Sequence, residues 1–270
     1  MVRKITAVIG RTLKSRRVSL SIYLGVAFAL NWMYVAMFTT FQSQAEQLSE
    51  VFKTLPESFA AAFGASELAF STLEGFLALE NFGFLWPLLV ILIIAGLAGA
   101  SLAGEIEKDT IELVLSRPIS RTAYFFGKYL ATVLASAAFV LVSILSVILF
   151  AEIYNVPYVL GSYATLALAG LAFAWAIIGI AFMFAAIFSE KSKVFFMTGG
   201  VLFLMYILQL LARLNENLEG LRYVSIFYYF DSSILTDGTV PLYALIVLAG
   251  TAIVTTVLAL WRWRARDIHV

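Results

Sequence analysis

Apolar and polar positions along this chain fall into long alternating blocks. Six predominantly apolar runs, at 18–41, 84–103, 124–151, 163–188, 194–212 and 242–261, are separated by polar stretches. Each run is long enough, at 1.5 Å per residue, to cross ~30 Å of hydrocarbon. Only a helix satisfies its own backbone hydrogen bonds at that depth. The pattern predicts an all-α integral membrane protein with six transmembrane helices in a single domain covering residues 1–270. Pro87 falls in the first turn of the second run, where its missing N–H costs little.

Residues 1–17 have a different pattern. On a helical wheel Val2, Ile5, Val8, Ile9 and Leu13 share one side and Arg3, Lys4, Arg11, Lys14 and Arg17 the other. This predicts a basic amphipathic helix lying in the headgroup plane. Residues 42–83 interleave six acids with Phe52, Phe59, Phe63, Phe70 and Phe76, which predicts amphipathic helices resting on the outer leaflet. Residues 213–241 form the second long outer loop. Its segment 226–230 (Ile-Phe-Tyr-Tyr-Phe) is too apolar for solvent and is expected to dip into the interface or pack on the spans.

Charge then orients the chain. Fifteen of the 18 lysines and arginines lie in the N-terminal segment, the 104–128 region, the loop after the fourth run and the tail; Lys53, Arg213 and Arg222 lie on the other side. Positive charge concentrates on the cytoplasmic side, so both ends are expected in the cytoplasm of a multi-pass cell-membrane protein. Composition agrees: 62% of residues are hydrophobic and 13% charged, against about 25% charged in soluble domains.

Several chemistries drop out. There is no cysteine, and the single histidine is His269, so thiolate sites, His-based catalysis and a metal site within the spans are not expected. No catalytic residues are expected. The spans carry almost no ionisable side chain at depth, which argues against an ion-coupled secondary carrier. Asn31 and Gln209 are the main polar groups there; interhelical hydrogen bonding is one reading and a substrate path the other. Gly96, Ala100 and Gly104 are four apart on the second run, a spacing that lets helices approach closely and could also face a substrate. No Gly-x-x-x-x-Gly-Lys-Ser/Thr run is present, so any nucleotide that powers the protein must bind another polypeptide.

The polar stretch 104–121 is the most distinctive. Drawn as a helix over 105–116, it sets Glu105, Asp109 and Glu112 on one face, beside a stripe of Ile106, Thr110 and Leu113. Pro118 ends the element and Ser120 can cap the following helix. A solvated connector whose apolar side touches lipid fits the same pattern. The run Gly104-Glu105, Thr110-Ile111-Glu112-Leu113-Val114-Leu115-Ser116, Pro118-Ile119-Ser120-Arg121 and Gly127-Lys128 resembles the signature of type-2 ATP-binding-cassette permeases, with Asp109 standing where that family has Gly.

The resemblance implies a transmembrane permease subunit of an exporter, with no enzymatic activity of its own, moving an amphipathic or hydrophobic substrate. Two permease copies, identical or different, would pair with separate ATPase subunits that bind the ATP and Mg. The 104–121 element would be the cytoplasmic coupling helix, through Glu105, Ile106, Asp109, Thr110, Glu112, Leu113, Pro118 and Arg121. The loop before the last span would form a re-entrant pair. Some relatives instead transmit force to an outside partner and move no substrate, which is the alternative the resemblance leaves open.

Overall fold

The structure is a computed structural model that describes residues 2–42, 71–109 and 119–266. Among these, ten α-helices occur and no strand. They are α1 (Val2–Gln42), α2 (Leu73–Leu77), α3 (Leu85–Ser101), α4 (Ala103–Ile106), α5 (Arg121–Ile153), α6 (Leu160–Ile187), α7 (Lys191–Leu214), α8 (Ile226–Tyr229), α9 (Ser233–Asp237) and α10 (Leu242–Ala265). Six of the helical stretches are long and apolar enough to cross a membrane: α1, α3 with α4, α5, α6, α7 and α10. They coincide with the six apolar runs of the sequence.

The punctuation is chemical. Ser120 caps α5 by accepting the Ala123 N–H at 3.2 Å, as its position before the third run predicts. Asn155, with φ of 53°, turns the chain out of α5, and Gly238, with φ of 68°, closes α9. Pro241 stands at the N-cap of α10.

Packing sorts the spans into inner and outer ones. Two thirds of the central window of α3 and of α6 (67%) is buried, against 22% for α1, α7 and α10. α1 lies along α5, α10 along α6, and α7 along α3. The outer helices turn side chains such as Val18, Ile22, Phe203 and Val257 outward, as a lipid-facing surface requires.

Two expectations need correction. Residues 2–17 and the first span are one uninterrupted 41-residue helix, about 60 Å long and twice the hydrocarbon thickness. Its apolar side does not lie flat against lipid at Val8: that side chain is buried against Gly127 of α5, where an added Cβ would come within 2.6 Å of it. Second, residues 73–82 do not rest on the bundle's surface. α2 and the π-helical turn Ala78–Phe82 insert among the spans, burying Leu73, Phe76, Leu77 and Phe82. Glu74 is buried with them and accepts the Val159 N–H at the start of α6, 2.7 Å away. The remainder of that loop, 43–70, lies outside the described residues.

The apolar 226–230 segment packs on the spans. Phe230 stacks on Phe173 of α6 at 4.6 Å and on Trp86 of α3 at 5.3 Å.

Candidate functional site

The 104–121 element leaves α3 through a kink at Leu102, and α4 lasts a single turn. Glu107 donates its N–H to the Ala103 carbonyl at 2.8 Å and Asp109 donates to Ile106 at 3.0 Å, closing a turn. Asp109 has φ of 54°, the left-handed conformation in which Gly is cheapest and Asp is tolerated. The turn is therefore present although Gly is not. A continuous helix over 105–116 is not: it stops at Ile106, so Glu105 and Asp109 do not share a helical face. Thr110, Glu112, Leu113 and Pro118 lie outside the described residues.

The start of this element is tied to two spans. Glu105 receives hydrogen bonds from the Lys128 ammonium and the Tyr124 hydroxyl, one turn apart on α5. Lys128 is buried and Glu105 half-buried, so each charge depends on the other for solvation. Glu107 accepts the backbone N–H of Lys191 at 2.8 Å, satisfying a donor at the first turn of α7. Ile106 is half-buried against the hydrophobic core. α1 adds a third contact beside them, with an Arg16 Nη donating to the Ala100 carbonyl at 3.1 Å.

Next to the tie, Arg121 donates to the Arg266 carbonyl at 2.6 Å and its own carbonyl accepts from Trp263 Nε1 at 3.1 Å. Trp263 stacks on Tyr124 at 6.3 Å. Arg266 donates to the carbonyls of Ala186 at 3.2 Å and Phe188 at 3.0 Å, and to Ser189. Burial, with the Arg262 charge nearby, lowers the Arg266 pKa. The ends of α5, α6 and α10 are thereby joined at the same end of the bundle, called basal below.

The other polar candidates separate. Asn31 is fully engaged: its Nδ2 donates to the Ser143 carbonyl and to Ser146 Oγ, both at 2.8 Å, and its Oδ1 accepts from Asn81 at 2.9 Å. Gly96 faces the Tyr23 hydroxyl, and Ala100 meets Arg16 through its carbonyl. Gln209 is 5% exposed, and its Oε1 has no hydrogen-bond partner among the described residues. It faces an open cavity between α3, α7 and the α8–α9 segment, beside the Arg213–Asp231 ion pair. Through Phe84, Pro87, Tyr206 and Phe227 this cavity borders an almost wholly apolar groove between α3 and α7 that includes Leu88, Leu92 and Phe203.

Sequence reasoning used Lys128 as a topology marker and as part of the family signature, assigned it no partner, and missed Glu107, Asn81 and Tyr124. A lysine one turn into an apolar run, with tyrosine four residues before it, was the available signal for a buried acidic partner.

Comparison with curated protein sequences gives no match. The sequence profile described as ABC-2 family transporter protein matches residues 9–268, nearly the whole chain. With six apolar helices and this match, the chain belongs to the ABC-2 transporter family and is a multi-pass membrane protein.

Proposed function

We propose that the chain is the transmembrane permease subunit of an ATP-driven exporter, with its basal end in the cytoplasm of the cell membrane. A separate ATPase subunit binds the ATP and Mg, and a second permease copy completes the transporter. The observation that carries this reading is the double tie at the start of the 104–121 element. Glu105 fastens it to α5 and Glu107 to the start of α7, so a push on the loop acts on two spans as well as on α3, from which it emerges. A solvated connector has no need of either tie. Contact with the ATPase then falls to the remainder of the element, including Thr110, Glu112, Leu113 and Pro118, while Glu105, Ile106, Asp109 and Arg121 transmit.

The same reading makes the α3–α7 groove the substrate path. Its apolar length suits the hydrophobic part of an amphipathic substrate, and Gln209, whose carbonyl has no partner among the described residues, suits a donor on the polar part.

The test is pull-down of the partner ATPase over a salt series. Glu112→Lys is expected to weaken co-purification, more so at low salt where repulsion is less screened. Glu46→Lys with Glu50→Lys, in the opposite loop, should leave it intact. Equal retention by both variants overturns the docking role. For the path, Gln209→Leu should reduce export while leaving ATPase co-purification unchanged; unchanged export removes Gln209 from it.

A further inference from the structure

Two adjoining crevices open at the basal end, one between α1, α3, α4 and α5 and the other between α1, α4 and α5. They share Thr12, Glu105 and Lys128. Arg16 lines one and Arg11 the other, so among the described residues three cations face a single carboxylate. Glu105 is already neutralised by Lys128 and accepts a hydrogen bond from Tyr124, and Arg11 makes no ion pair among the described residues. Residues 2–17 supply no acid to offset the excess. Towards the middle of the bundle the first crevice becomes apolar, at Leu20 and Leu97.

The depth of these cations is set by the lipid-facing side chains nearby. Val18 and Ile22 on α1 are 66% and 58% exposed, and Leu130 and Leu134 on α5 are also exposed. Arg16 and Lys128 each stand two residues before the first of these, roughly 3 Å along the helix, and Arg11 stands roughly 10 Å before it. The headgroup layer is about 5–8 Å thick on each side of the hydrocarbon. Arg16 and Lys128 therefore lie at its depth, Arg11 just beyond its outer edge with a side chain long enough to reach back into it, and Leu20 at the depth of the acyl chains with Leu97 beside it in the crevice.

We propose that this crevice binds one anionic phospholipid, its phosphate held by Arg11 and Arg16 and its chains lying along Leu20 and Leu97. The phosphate also competes with Glu105 for Lys128, so an occupied site loosens the tie at the start of the 104–121 element. Basic pockets between spans are suited to such headgroups.

The full-length protein, purified and delipidated in a non-ionic detergent, is titrated with phosphatidylglycerol, with phosphatidylcholine of the same chains, and with glycerol 3-phosphate, and bound lipid is counted by native mass spectrometry. Phosphatidylglycerol is expected to bind roughly five- to thirtyfold more tightly than phosphatidylcholine, as one or two surface cations allow. Arg11→Gln with Arg16→Gln should abolish the preference. Arg262→Gln with Arg264→Gln, which removes the same charge from exposed positions on α10, should keep it. Should the glutamine pair unfold, Arg11→Lys with Arg16→Lys must retain the preference. Equal binding of the two lipids, equal behaviour of the two glutamine pairs, or loss of preference in the lysine pair overturns the proposal. Glycerol 3-phosphate binding as tightly as phosphatidylglycerol also overturns it, since the site would then take a free anion.

Discussion

Glu105, at the end of the second span, is ion-paired with Lys128, 23 residues further along on the third. The side chains are 24% and 10% exposed, so neither charge is well hydrated without the other. Such a pair costs more to break than to replace.

Glu105→Gln and Lys128→Met should therefore each destabilise the protein by about 1–3 kcal/mol. The double variant should cost less than the two single costs combined, because no uncompensated charge remains. Thermal unfolding in detergent measures all three. Strict additivity would show that the pair does not couple in solution.

The turn at Asp109 makes a sharper claim about a single backbone angle. Asp109→Gly should be neutral or stabilise the protein by up to about 1 kcal/mol, since Gly adopts positive φ without steric cost. Asp109→Val should destabilise by a similar or larger amount, being β-branched. The reverse order would mean that this residue is helical in solution.

Packing of α6 on α10 depends on Gly179. A Cβ there would sit 2.1 Å from Thr255 Oγ1 and 2.9 Å from the Ala252 carbonyl. The hydroxyl could rotate away, but the carbonyl belongs to the backbone. Gly179→Ala should cost about 1–3 kcal/mol, outweighing its gain in helix propensity. Gly250→Ala on α10, with open space around its Cβ, should be neutral or mildly stabilising. Equal melting temperatures for the two variants would refute the close approach.

Orientation is testable in a chain without cysteine. Ser192 and Thr239 are exposed, the first at the start of α7 and the second just before α10. Ser192→Cys should label from the cytoplasm and Thr239→Cys from outside, using an impermeant thiol reagent on intact cells and on opened membranes. Labelling of both from the same side would contradict the proposed topology.

Among the polar residues of the spans, Asn31 shows where reading the sequence stops. Its likelihood of bonding across helices follows from the cost of an unpaired amide in hydrocarbon. Its partners Ser143, Ser146 and Asn81 do not follow, since they lie 50 to 115 residues away. Gln209 has the same chemistry and is buried too, yet its Oε1 has no partner among the described residues. Only the packing of neighbouring helices separates the two.

By itself, the sequence determined the six spans, the cap at Ser120 and the family signature around 104–128. These are local properties: an apolar run must satisfy its own backbone inside a bilayer, and a cap acts within one turn. Tertiary structure alone decided that α1 runs unbroken along α5, that residues 73–82 fold in among the spans, and that the 104–121 element turns at Asp109. It also decided that Glu105 and Glu107 are held by Lys128 and by the start of α7. Each of these depends on which distant surface a side chain meets, and amphipathic periodicity says that a face must be covered without saying by what.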